Sequence, residues 1–155
     1  MPTDFLQDIR DFHKKFGLEY NGPPRALSGE LAAFRRRFME EELREWVDHI
    51  FASNLELTLT DVPDPEVYRH HLEQTLDALV DLMYVLLGTA HLQGFDDIFE
   101  EAWRRVHAAN MNKVRATSAA DSKRGSTLDV VKPEGWEPPT HTDLLGGHLL
   151  ADREA

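Results

Sequence analysis

Three acidic side chains crowd one short stretch: Glu41, Glu42 and Glu45. On a helix, at about 100° per residue and with Phe38 as origin, Leu31, Phe34, Glu42 and Glu45 all fall within about 40°, and Glu41 at about 60°. A stripe that is apolar for two turns thus becomes carboxylate without changing face. Charges on a solvated helix normally sit opposite the apolar face. Bare charge on a core-side face is costly, so such carboxylates are paired, protonated or metal-bound. The plain alternative is a helix that kinks or ends here and leaves its glutamates in water, as Glu40, Arg44 and Asp48 would be.

A second stretch poses the same question. From Ala78 to Ala90 almost every residue is apolar or small, and Asp81 is the only charge. This reads as a helix buried on most sides, in which an aspartate needs a partner. Asp77 lies four residues earlier, about 40° away on the same face. Two carboxylates there, facing three on the earlier helix, would make an oxygen-rich cage of the kind Mg²⁺ or Mn²⁺ selects. A single buried Asp bonded to a His, an Arg or a backbone N–H is the alternative. A third stretch carries Phe99, Ala102, Trp103 and Val106 as its apolar stripe, which Asn110 and Lys113 extend. A Lys beyond a carboxylate site can hold a phosphate oxygen and an Asn can donate to another. A Lys that merely favours a helix C-terminal dipole is the simpler account.

These residues need helices to position them. The first is predicted from about Thr3 to Phe16, with Phe5, Ile9, Phe12 and Phe16 on one face and Thr3 or Asp4 as cap. Asn21-Gly22-Pro23-Pro24 breaks the chain. The second starts near Ser28 and reaches about Phe51. The stretch from Ser53 to Pro65 reads as a connection. The third runs from about Glu66 to His91, with Gly94 where a terminating glycine belongs. The fourth opens after Asp96-Asp97 and continues to about Val114. The expected fold is all-α, a bundle of antiparallel helices over residues 1–116, with a mostly irregular tail over 117–155. The tail still holds Val130, Val131, Trp136, Leu144, Leu145, Leu149 and Leu150, which could pack on the bundle or on a second subunit.

The 155 residues suit one hydrophobic core, and 28 acidic against 17 basic side chains give a net charge of −11. That balance argues against nucleic-acid polymers and anionic membranes as partners. A phosphate substrate stays open, because a divalent cation inverts the local sign. The absence of cysteine excludes disulfides, thiolate metal sites and cysteine nucleophiles. No uninterrupted apolar run approaches the ~20 residues of a membrane span. Met-Pro-Thr-Asp-Phe is not a signal-peptide start, so a cytoplasmic location is expected. The eight histidines show no metal-binding spacing, and there is no Gly-rich phosphate loop or nucleophile elbow.

Taken together, the motifs resemble a known family. Glu41-Glu42-Leu43-Arg44-Glu45 resembles the Glu-Glu-x-x-Glu motif of the all-α nucleoside triphosphate pyrophosphohydrolases, the MazG-like superfamily. Asp81-Leu82-Met83-Tyr84-Val85 is similar to its second metal helix, and Asn110 to Lys113 to its Asn-x-x-Lys segment. With Lys132-Pro133-Glu134-Gly135-Trp136 the chain looks most like a small bacterial and phage branch, with dUTP-directed and phosphoribosyl-ATP pyrophosphohydrolase-like members. The likeness covers about residues 5 to 138. It implies a homodimer or dimer of dimers that cleaves a nucleoside triphosphate to the monophosphate and pyrophosphate. It implies that Glu42, Glu45 and Asp81 hold Mg²⁺, with Mn²⁺ as substitute. Glu41 and Asp77 would complete the cage, hold a second ion or orient water. Asn110, Lys113, Tyr84, Lys132 and Trp136 would bind substrate. One departure stands out: the family's Glu-x-x-Asp places glutamate where this chain has Ala78, and Asp77 reaches the same face from the other side with a shorter arm. Two other classes of function remain: a catalytically inactive, nucleotide-binding helical dimer with a regulatory role, and an interaction module whose acidic stripe serves a basic partner helix.

Overall fold

A computed structural model describes residues 3–59, 62 and 64–146. It is mostly helical: α1 (Phe5–Lys15), α2 (Gly29–Leu59), α3 (Pro65–Leu92) and α4 (Asp96–Met111). A two-stranded antiparallel ladder follows, β1 (Val114–Arg115) with β2 (Val130–Val131), and two single 3₁₀ turns, Ala119–Asp121 and Thr142–Leu145. The chain forms two compact units, residues 1–95 and 96–155, so α4 is grouped with the tail. Leu149 and Leu150 lie outside the described residues.

In the first unit, the Asp4 carboxylate accepts the Gln7 N–H at 3.0 Å and caps α1. Of the predicted apolar face of α1 only Ile9 is buried, with His13 beside it, while Phe5, Phe12 and Phe16 are exposed. Helix α2 continues two turns past the expected end at Phe51. Ser53 Oγ donates to Ile50 O and Thr58 Oγ1 to Asn54 O, so the hydroxyls are satisfied inside the helix and do not break it. The expected connection from Ser53 therefore shrinks to the few residues before Pro65. Pro65 opens α3 behind an Asp64 cap, a position where its missing N–H does no harm. Helix α4 stops at Met111, short of the expected Val114. There the N–H groups of Asn112 and Lys113 turn back onto Ala109 O and Asn110 O, and Val114 pairs with Val131.

Helices α2 and α3 are the main packed pair, and α1 lies on α3. They run antiparallel. Arg35 near the start of α2 bonds to Val85 and Thr89 near the end of α3, the rings of His49 and His71 lie 6.2 Å apart, and Glu56 near the end of α2 accepts the Asp64 N–H. Helix α3 is not buried on most sides, contrary to expectation. Ala78 is buried, and in the last two turns Val85, Leu87, Gly88, Ala90 and His91 are buried on several sides. Leu72, Leu76, Leu79, Met83 and Leu86, which share one face before those turns end, are exposed. By length and composition alone α3 could cross a membrane, and a third of its apolar stretch is buried within the fold.

Gly94 ends α3 in the left-handed region, φ 72°, with its N–H on His91 O. A Cβ there would stand 2.7 Å from Gly22 O and 2.8 Å from Pro23 O. Those are backbone atoms of the α1–α2 connector, which Arg25 also ties to the helix end through Leu92 O and Gln93 O. Gly94→Ala combines a left-handed penalty of about 1–2 kcal/mol with this clash, and is expected to lower stability by roughly 2 kcal/mol or more. Urea denaturation measures it; an unchanged midpoint would contradict it.

Candidate functional site

Relative to Glu42, the α2 residues Arg35, His49 and Ser53 all fall within about 20° of the same direction. This stripe faces α3, and Arg35, Glu42 and Ser53 are its buried members. Glu45 and Glu41 fall about 60° and 100° to one side and are exposed. The three glutamates are therefore not equivalent: Glu42 is the floor, 8% exposed, and the other two stand on the rim. Asp81 and Asp77 are exposed on α3. This corrects the expectation that Asp81 is a buried carboxylate; the buried one is Glu42.

The pKa of the Glu42 carboxyl is pushed up from its ordinary value. Burial is the largest cause, followed by the charges of Glu45, Asp81, Glu41 and Asp77, and each of these influences raises it. The other four acids named from the sequence thus act on one buried carboxyl, two from α2 itself and two from α3. Among the described residues, no three His, Asp or Glu side chains are already drawn into a metal-holding group. The donor set nonetheless suits a hard divalent cation: it consists of carboxylate oxygens around a buried acid that its neighbours repel.

Tyr84 flanks the carboxylates, about 60° from Asp81 on α3. Its ring meets Phe12 of α1 edge-on at 5.3 Å. Burial and then the nearby Asp8 charge raise its phenol pKa. Its visible role is to seat α1.

The second unit holds the remaining predicted residues. The ladder pairs Val114 with Val131, which brings Lys113, one residue before it, opposite Lys132, one residue after its partner. The next turn, Pro133 to Trp136, closes with the Trp136 N–H on Pro133 O and passes through Gly135 at φ 75°. It swings the indole back so that Nε1–H donates to Ala109 O at 2.7 Å. Lys132 Nζ then lies 4.3 Å and Lys113 Nζ 5.7 Å from the Trp136 ring. A cavity of about 330 Å³ opens beside the ring, lined by Asn112, Pro133, Glu134, Gly135, Trp136 and Glu137. Lys113 is thus gathered with the distant pair Lys132 and Trp136 into two cations on one aromatic surface. The side chain of Asn110 is exposed nearby on α4.

Residues 9–110 match the phosphoribosyl-ATP pyrophosphohydrolase family. The chain belongs to that family. The match spans well over half of the sequence and includes both carboxylate helices. The phosphoribosyl-ATP pyrophosphohydrolase family is of the MazG-like type, and membership supports a nucleotide pyrophosphohydrolase activity. Lys113, Lys132 and Trp136 lie beyond the matched residues. No curated protein is similar enough to count as a relative. Sequence reasoning missed the buried group formed by Arg35, Gly88, Thr89, His13 and His91. The signal was there for Arg35, which precedes Glu42 by seven residues on the same face.

Proposed function

We propose that the protein is a divalent-metal-dependent nucleoside triphosphate pyrophosphohydrolase. It would release a nucleoside monophosphate and pyrophosphate, with dUTP among the substrates to be tried first. The observation that carries this reading is the buried Glu42 ringed by Glu45, Asp81, Glu41 and Asp77 on the helices the family match covers. Glu42, Glu45 and Asp81 would hold Mg²⁺, or Mn²⁺ in its place, which offsets phosphate charge and polarises the bond to be broken. Glu41 and Asp77 complete the carboxylate set or orient the water that adds across the α–β phosphoanhydride. Asn110 and Lys113 bind phosphate oxygens, and Lys132 adds a second cation on the same indole as Lys113. The Trp136 ring is a stacking surface for the base.

A panel of common and damaged nucleoside triphosphates, with Mg²⁺ and with Mn²⁺, tests this when pyrophosphate and phosphate are read separately. Metal-dependent pyrophosphate with equimolar monophosphate is expected. Nucleotide binding without turnover would select the regulatory reading instead, which the alanine at position 78 favours.

We also propose a homodimer. Leu72, Leu76, Leu79, Met83 and Leu86 recur at alternating spacings of four and three, the pattern of a helix–helix seam, and all are exposed. A second copy offers the same stripe. Dimeric mass at micromolar concentration is expected for the native chain, and monomeric mass for Leu79→Glu. A monomeric native chain would refute it.

A further inference from the structure

Arg35 is buried on α2, and among the described residues its hydrogen bonds go to neutral groups. Nη2–H donates to Val85 O at 2.5 Å and Nε–H to Thr89 Oγ1 at 3.0 Å. Thr89 Oγ1–H in turn donates to Val85 O at 2.8 Å. One guanidinium thus grips one backbone carbonyl and one hydroxyl of α3. A buried cation with neutral partners is a poor way to gain stability, since an apolar side chain of similar size would pack there more cheaply. It is a good way to fix a register. Sliding one helix by one turn moves Val85 O by about 5.4 Å, enough to lose the bond.

The chain also makes room for this grip. A Cβ at Gly88 would lie 3.1 Å from Arg35 Nη2 and 3.0 Å from His13 Cε1. The side chain is missing where the guanidinium crosses. The grip shares its faces with the carboxylates. Arg35 precedes Glu42 by two turns, about 10.5 Å, on the same face of α2, and Val85 follows Asp81 by one turn on the same face of α3. Without metal, Asp81 and Asp77 repel Glu42 across this seam. At the far end of α2, Glu56 accepts only a long bond from the Asp64 N–H, 3.4 Å.

We propose that Arg35 is a positioning residue: with Thr89 and Gly88 it locks the α2–α3 register that holds Glu42 opposite Asp81, and so sets the affinity of the carboxylate site for a divalent cation. Arg35 touches neither metal nor substrate in this role. The inference rests on the carboxylates being a metal site, as proposed above.

The test is Mn²⁺ binding to the full chain, read from the spectrum of free Mn²⁺ well below each variant's melting temperature. Thr89→Val keeps the shape of residue 89 and removes the acceptor for Arg35 Nε–H. Arg35→Lys keeps the charge and removes the fork. Each is expected to weaken Mn²⁺ binding about ten-fold, the lower range for groups that support metal ligands. Gly94→Ala is the control, destabilised just past the last turn of α3 by a clash with Gly22 and Pro23 that does not involve Arg35, and should bind Mn²⁺ like the native chain. An unchanged Kd in Thr89→Val would overturn the proposal, and so would equal weakening in Gly94→Ala. If the native chain itself binds no Mn²⁺, the metal-site reading falls, and the proposal with it.

Discussion

Asp81→Asn is expected to abolish turnover, a loss on the order of 10³-fold or more, the upper range for removing a group that stabilises charge in the transition state. The substitution keeps the shape of residue 81 and removes one charge from a set that must hold a cation against several phosphate charges. It should act on the metal-free protein in the opposite sense. Asp81 is the second-ranked charge pushing the Glu42 carboxyl upward. Removing it relieves repulsion on a buried acid, so metal-free Asp81→Asn should melt no lower than the native chain. The rise in melting temperature that Mg²⁺ gives the native chain should be lost. Stability held or gained while activity disappears is the signature of a charge kept for function. Native-like turnover in Asp81→Asn would remove Asp81 from the chemistry. A large drop in metal-free stability would make it a structural residue.

The helices were legible where their ends carry chemistry with few alternatives: Asp4 as a cap and Gly94 just past a last turn. The face of α2 was harder to read. Apolar periodicity centres its stripe on Phe34 and Phe38, yet Phe34 is half exposed. The residues buried against α3 are Arg35, Glu42 and Ser53. A polar seam has no hydrophobic period. The count along the helix therefore singles out Glu41, Glu42 and Glu45 but does not say which of them is buried. The connection expected from Ser53 rests on Asn54, Pro63 and Pro65, yet α2 runs on to Leu59, with the Ser53 and Thr58 hydroxyls bonded back into it.

The tail shows what motif spacing alone leaves out. Lys113, Lys132 and Trp136 could each be named from resemblance, but nothing in the sequence joins the first to the other two. A ladder only two residues long does so, because antiparallel pairing of Val114 with Val131 brings the next residues out opposite each other. Patterns so short carry no alternation to detect.

Asp77→Asn decides how this chain manages without the glutamate of its family motif. Asp77 is exposed and is the last-ranked charge acting on Glu42. That rank fits a residue that reaches the site from its edge. If Asp77 replaces the absent ligand, its loss should lower turnover at least ~100-fold, the range seen when a group that supports a metal or a developing charge is removed. Limiting Mg²⁺ should deepen the loss. The complementary change, Ala78→Glu, restores the family pattern in sequence but meets the structure badly. Ala78 is 3% exposed. A glutamate there would add volume to a packed face and a further charge to the surroundings of Glu42. Ala78→Glu is therefore expected to lower stability without metal, by about 1–3 kcal/mol for overpacking alone, and to regain part of it with Mg²⁺. Full activity of Asp77→Asn at both saturating and limiting Mg²⁺ would sink the replacement. It would leave Glu42, Glu45 and Asp81 as the protein's own ligands, with water completing the set.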